Sequence, residues 1–170
     1  MKSLRVFLAL FAVALFPSTG FSQEAAGAFN VKGSSTPLRH AYAFWKDQAP
    51  FSPRVDLYVL LSDVPVADDQ LPRNDSGKSK IAELVRNNKI HAFEIHFVDP
   101  GKTLNPGEEG AAYNAGIESA GHGLNGYFQY QQVSYAGDAL AGKVSTDADT
   151  FKATGVKIDA TFKVKVPPKK

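Results

Sequence analysis

A carboxylate and an imidazole stand two residues apart in this sequence, at Glu94 and His96. The alternation of apolar and polar residues around them predicts a β-strand, in which residues i and i+2 share a face about 6.5–7 Å apart. Two such groups can supply two metal ligands, or a general base and the carboxylate that orients it. Further ligands would have to come from elsewhere, for example from His40 or His122. The spacing itself favours the simpler interpretation, a polar pair on the solvated face of a half-buried strand.

A second candidate is His122, because glycines flank it at positions 121 and 123. Glycine permits backbone angles and close approaches that other residues do not. A histidine in such a loop can therefore be presented to a ligand or a substrate. We favour the alternative, a hairpin loop between predicted strands at 113–118 and 127–135, because glycine-rich segments usually form turns.

Aromatic residues form the third candidate site. Tyr42 and Trp45 belong to one predicted strand, and Tyr127 and Tyr130 belong to another. Exposed rings of this kind stack on sugars or pack on peptides, because each joins a large apolar surface to a polar tip. With His122, these four residues form the predicted binding site for a glycan or a protein partner outside the cytoplasm. The alternative is that the rings pack in the core or across strands.

Motifs of known catalytic chemistry are missing from the sequence. Residues 77–79 (Gly-Lys-Ser) match the end of a phosphate-binding loop, but Pro72 stands where that loop requires its first glycine. The chain has no cysteine and no Gly-x-Ser-x-Gly segment, so nucleophilic catalysis has no support. We therefore expect a non-enzymatic binding protein without a cofactor. A metal-binding protein, or a hydrolase-type enzyme that uses Glu94, His96 and a further histidine, is the alternative hypothesis.

Alternating apolar and polar residues dominate the rest of the chain. From Val156 to Val166 the even-numbered residues are apolar and the odd-numbered ones are mostly charged, which predicts a strand with one buried and one solvated face. Pro167 and Pro168 end this strand, since proline cannot donate to a sheet ladder. Residues 78–88 carry apolar side chains at helical spacing and predict a helix. Less regular strand patterns, with turn signals between them, cover residues 28–32, 38–45, 55–62, 91–98, 127–135 and 139–144.

These elements predict a mostly β fold in one domain, residues 23–170. The expected architecture is an antiparallel two-sheet β-sandwich with one short α-helix. A closed β-barrel is the alternative, because the sequence does not say whether the outer strands meet. A strand edge that pairs with a partner chain gives the third functional hypothesis, a structural or assembly subunit.

The N-terminus predicts a cleavable signal peptide at residues 1–22. Lys2 and Arg5 precede an apolar run at 6–16, which Pro17 and a stretch of small residues follow. The run is shorter than the ~20 residues that a membrane-spanning helix needs. We therefore expect a secreted or periplasmic bacterial protein with no membrane span in the mature chain.

The charge of the chain and its lack of cysteine limit the partners and the stabilising bonds that we expect. The chain has 19 basic and 17 acidic residues, and removal of Lys2 and Arg5 with the signal peptide would make these numbers equal. A neutral chain gives no electrostatic support for nucleic-acid binding. Because cysteine is missing, an exported chain of this sequence has no disulfide bonds and depends on its core for stability.

Overall fold

The computed structural model describes residues 23–31, 33–47, 49, 53, 55–73, 80–87, 89–97, 112–114 and 128–169. The predicted signal peptide lies outside these residues. These residues include two α-helices, α1 (Lys80–Arg86) and α2 (Ala148–Thr154), together with a short 3-10 helix (Asp68–Gln70). The strands are β1 (Glu24–Val31), β2 (Ser34–Asp47), β3 (Val55–Ser62), β4 (Ala92–Phe97), β5 (Ala112–Asn114), β6 (Gln129–Ala136), β7 (Ala139–Ser145) and β8 (Val156–Lys165).

All eight strands belong to one antiparallel sheet, in the order β5-β4-β3-β2-β1-β8-β7-β6. Strands that follow each other in the chain lie side by side, except for β5 and β6, and β1 pairs with β8 along its whole length. In the described part of the chain, the two ends of the sheet are therefore β5 and β6, which follow each other in sequence. The prediction of a mostly β, antiparallel fold is confirmed. The finer prediction of two packed sheets is not shown, because the described strands form a single sheet.

This sheet is strongly curled. The rings of Phe97 in β4 and Phe162 in β8 lie 6.5 Å apart, centroid to centroid. Three strands separate β4 from β8, so a flat sheet would hold them about 19 Å apart at the usual inter-strand spacing. Phe93 of β4 also contacts Phe128, the residue before β6, at 5.1 Å. The two halves of the sheet therefore face each other across a shared interior.

The concave face of the sheet encloses the larger hydrophobic core. Strand β8 shows how the sequence builds it, since its residues alternate between buried and exposed along the whole strand. Val156, Ile158 and Phe162 point inward, while Lys157 and Lys163 point to solvent. The predicted alternation of this strand is confirmed.

The convex face carries a second, smaller core over β2, β3 and β4. Phe44, Tyr58 and Leu60 of the sheet pack there against Ile81 of α1 and Ile90. Strand β3 is consequently buried on both faces, although its sequence pattern predicts one solvated face. Helix α1 thus covers a face of the sheet.

Helix α2 was not predicted, although its ends carry recognisable signals. Asp147 caps its N-terminus by accepting a hydrogen bond from the Thr150 backbone amide at 2.7 Å. Gly155 ends it in the left-handed conformation at φ 68°. Among the described residues, neither helix has the length and apolar character needed to cross a bilayer.

Candidate functional site

Glu94 and His96 both lie in β4, on the convex face of the sheet. Phe93 and Ile95, which alternate with them, belong to the concave core. In the pairing of β3 with β4, Glu94 lies opposite Leu60 and His96 opposite Tyr58. Both side chains are more enclosed than a solvated polar pair would be, because Glu94 is only 9% exposed and His96 is only partly exposed.

The imidazole of His96 is fixed by two neighbours from β3. Its Nε2 atom lies 2.9 Å from Oδ2 of Asp56, a residue that is only 2% exposed as a whole. Its ring lies parallel to that of Tyr58, with centroids 4.5 Å apart and an interplanar angle of 7°. On its other side, Tyr58 stacks on Phe44 at 5.9 Å, and the Lys46 ammonium lies 5.2 Å from the Tyr58 centroid.

This arrangement orients a histidine with a buried carboxylate, and metal-binding and general-base histidines are often oriented by a carboxylate in the same way. Since Nε2 faces Asp56, this nitrogen is already engaged within the protein. The described residues contain no group of three His, Cys, Asp or Glu side chains placed to hold a metal ion. His40, a suggested further ligand, lies in β2 opposite Ser62, and His122 lies outside the described residues.

A second aspartate–histidine pair connects the end of β3 to the start of β4. His91 Nδ1 lies 2.9 Å from Asp63 Oδ2, and the His91 backbone amide donates to Asp63 Oδ1 at 2.9 Å. This pair is more exposed than the first, at 37% for the His91 side chain and 18% for that of Asp63. The double contact holds the start of β4 against the end of β3.

The predicted aromatic binding residues divide between the two faces of the sheet. Tyr42 lies on the convex face, where its hydroxyl accepts a hydrogen bond from the Val66 backbone amide at 2.9 Å. Trp45 packs against the concave core, and its Nε1 donates to the Pro167 carbonyl at 2.7 Å. The Lys169 ammonium lies 5.0 Å from the Trp45 centroid. Both rings thus hold a loop or the C-terminal segment against the sheet.

Tyr130 packs against the concave core from β6. Its hydroxyl is buried and has no hydrogen-bond partner among the described residues. Burial raises the pKa of this phenol far above its usual value. Tyr127, the fourth predicted aromatic residue, lies outside the described residues.

A pocket of about 290 Å³ opens beside Tyr42, where β1 begins and β8 ends. Gln23, Tyr42, Arg73, Lys165 and Pro167 are among the residues that line it. Its two cations have carboxylate neighbours on the surface: Arg73 pairs with Asp68, and Lys165 Nζ lies 3.2 Å from Asp138. The pocket therefore joins an aromatic ring and a proline to polar groups. Its location depends on the pairing of distant strands, which the sequence does not reveal.

Strand β6 forms one edge of the sheet among the described residues. Its eight residues, Gln-Tyr-Gln-Gln-Val-Ser-Tyr-Ala, include no charge and no proline. Most of them are exposed, and Tyr135 is one of the few large hydrophobic residues of the described chain that is exposed, at 38%. A bulge between Gln131 and Ser134 interrupts its pairing with β7, and Gln132 has a positive φ of 52° there. In the sequence, the uncharged composition of this segment is the signal that indicates an edge strand. The alternation of its residues does not show that β6 lies at the end of the sheet.

Comparison with known proteins identifies no relative of this chain. No family model matches the chain, and no curated protein or solved structure matches it significantly.

Proposed function

We propose that this chain is an exported, non-enzymatic binding protein that engages another protein chain through the outer edge of β6. The observation that supports the proposal is the composition and exposure of that strand. Its eight residues carry no charge and no proline, and it ends the sheet in the described part of the chain.

An edge strand presents a row of backbone amides and carbonyls to any strand that can pair with them. Natural proteins usually protect such edges with charged side chains, proline, short strands or bulges. Of these devices β6 has the bulge at Gln131–Ser134. The final run of the strand, up to Ala136, remains straight and pairs regularly with β7, so its opposite side is suited to strand addition.

The chemistry of the strand indicates what would pair with it. Addition of an extended segment supplies affinity through main-chain hydrogen bonds and specificity through alternate side chains. The side chains along β6 are amide, hydroxyl and aromatic groups. An uncharged extended segment matches this edge best, because it brings no unpaired charge against a strand that has none to offer.

Export is the part of this proposal that rests on the sequence. The signal-like segment at 1–22 and the missing cysteines agree with a bacterial periplasmic or secreted protein. Such a protein meets its partners in the cell envelope or outside the cell.

Site-specific photocrosslinking in the producing cells tests the proposal directly. A benzophenone amino acid is placed at Gln131 or Tyr135 in β6 and, as the control, at Phe151 in α2, which is also an exposed aromatic residue at 42%. We expect adducts with another protein chain from the β6 positions and none from Phe151. No adduct at β6, or the same adducts from all three positions, would overturn the proposal.

A small ligand in the pocket beside Tyr42 is the second candidate function. Its volume of about 290 Å³ is close to the lower end of known ligand sites, and a tyrosine ring next to two cations suits a sugar or an acidic glycan. A glycan array should then show binding that Arg73→Gln abolishes and Arg39→Gln, an exposed substitution in β2, leaves unchanged. An array without specific binding would contradict this candidate.

A further inference from the structure

We infer that the segment which pairs with β6 is β6 of a second copy of this chain, in an antiparallel arrangement around a two-fold axis. The inference rests on the proposed function, because it takes the β6 edge as the binding surface. It goes further by naming the partner and the register.

The first reason is that β6 is compatible with itself in charge. In a two-fold antiparallel pair, each residue faces a residue of the same strand in the other copy. Like charges directly opposite each other destabilise such a pair, and β6 carries no charge at any position. Solvent-facing positions of β8, in contrast, carry Lys157, Lys163 and Lys165. The missing charge is therefore a property of this edge and not of the whole sheet.

The second reason is the position of Tyr135. It lies opposite Leu140 of β7, a fully buried residue of the concave core, so its ring lies at the rim of that face. Its exposed fraction of 38% leaves apolar area that a strand added to β6 would cover. Burial of such area is the main favourable contribution when two surfaces associate.

The bulge selects the register. It interrupts the strand between Gln131 and Ser134, so the straight run next to the β6–β7 turn is Ser134–Ala136. A two-fold axis through the middle of this run places Tyr135 opposite Tyr135 of the other copy, and Ser134 opposite Ala136. Opposed tyrosines are a favourable cross-strand pair.

The expected dimer is weak. A pair of short edge strands buries less than the ~1,200 Å² of a standard stable interface. Affinity should therefore lie in the micromolar range, and the proportion of dimer should depend on concentration.

Disulfide trapping tests the register, because the chain has no cysteine of its own. In the inferred register the two Tyr135 Cα atoms would lie ~4.5–5.5 Å apart, within the range that a disulfide bridges. Tyr135→Cys in the full-length protein purified after export should give a covalent dimer on mild oxidation. Phe151→Cys, at a similarly exposed position on α2, is the control and should stay monomeric.

Sedimentation velocity tests the association itself. The exported protein should shift from monomer to dimer between about 1 and 500 µM. Tyr135→Lys replaces an aromatic pair by two opposed ammonium groups and should weaken the dimer about tenfold, while Phe151→Lys should not. Circular dichroism checks that both variants remain folded.

The results separate this inference from the proposed function. A protein that stays monomeric at all concentrations and forms no Tyr135→Cys dimer overturns the self-pairing. If photocrosslinks from Tyr135 then reach a different protein, the proposed function stands with another partner. If photocrosslinks from Tyr135 reach no other protein, the self-pairing and the proposed function are both wrong. In that case residues of the same chain cover the β6 edge.

Discussion

The Nε2 atom of His96 lies 2.9 Å from Oδ2 of Asp56, and only 3% of that aspartate side chain is exposed. A buried carboxylate is stable only when hydrogen bonds or an opposite charge compensate for the loss of water. Here the imidazole provides a hydrogen-bonding partner, and the ring of Tyr58 holds the imidazole in place. Strands β3 and β4 are thus joined by side chains as well as by their backbone ladder.

Removal of one partner from this pair should be strongly destabilising. Asp56→Ala should lower the free energy of unfolding by about 2–3 kcal/mol, because it leaves a buried imidazole nitrogen without its partner. The double variant Asp56→Leu with His96→Phe should recover much of this loss. Urea denaturation measures both values. Asp63→Ala, in the more exposed second pair, is the comparison and should cost less; an equal cost would show that burial does not determine the effect.

The C-terminal segment should be held in place by Trp45. Deletion of residues 167–170 removes the carbonyl that accepts the Trp45 Nε1 hydrogen bond and the Lys169 ammonium over its ring. Stability should fall by about 1–2 kcal/mol. Because the chain has a single tryptophan, its fluorescence reports on this site alone, and its emission should shift to the red as water reaches the ring.

Two point variants separate the contributions to that segment. Trp45→Phe removes the hydrogen bond together with part of the ring that packs against the concave core, and it should cost about 1–3 kcal/mol. Lys169→Met removes only the cation and should leave the emission maximum unchanged. If the truncated protein emits at the wild-type wavelength, another part of the chain shields Trp45.

Sequence patterns predict the elements of this fold better than their arrangement. The alternation in β8 is legible because one face of the strand is solvated. The same rule fails for β3, since Asp56 and Tyr58 are buried under contacts that β4 and the convex core supply. Whether the strands form one sheet or two depends on the pairing of β1 with β8, which joins the two ends of the described chain.

The same limit applies to the candidate sites, because the sequence predicts which residues share a strand face but not which strands meet. The sequence placed Glu94 and His96 together, because two residues of one strand share a face. It did not reveal Asp56 as the partner of His96, because 40 positions separate them and only the strand register brings them together. The separation of Tyr42 from Trp45 does follow from alternation, since residues three apart in a strand point to opposite faces.

Gly27 should be the glycine least tolerant of substitution in the described sheet. Its φ is +146°, and a Cβ atom there would lie 2.1 Å from the Asp159 carbonyl oxygen of β8. Neither group can move without breaking the β1–β8 ladder that joins the two halves of the sheet. Gly27→Ala should therefore cost about 3 kcal/mol or more, as measured by urea denaturation.

Gly33→Ala is the matched control for that substitution. Gly33 also has a positive φ, +86°, but its Cβ would have no neighbour within 4 Å. Its cost should be limited to the backbone term, about 1 kcal/mol. Equal effects at the two glycines would show that the close approach of β1 to β8 contributes nothing.

The cap of α2 should make stability depend on pH in the acid range. The backbone amide of Thr150, as the main cause, holds the pKa of Asp147 below its usual value, and the Gln129 amide also donates to this carboxylate. Since the pKa is lower in the folded state, the ionised cap stabilises the fold above the unfolded-state pKa, 3.8. That contribution disappears as the pH falls through the folded-state pKa.

Asp147→Asn tests this dependence, because it keeps a side-chain oxygen but removes the charge. At pH 7 the variant should melt at a lower temperature than the wild type, and the difference should shrink as the pH falls below 3.8, the usual pKa of this carboxyl group. Asp149→Asn is the control, since Asp149 lies in the first turn of α2 without capping it, and it should change the melting temperature less. A difference between wild type and Asp147→Asn that stays constant from pH 7 to the acid range would contradict the assignment of the charged carboxylate as the stabilising cap.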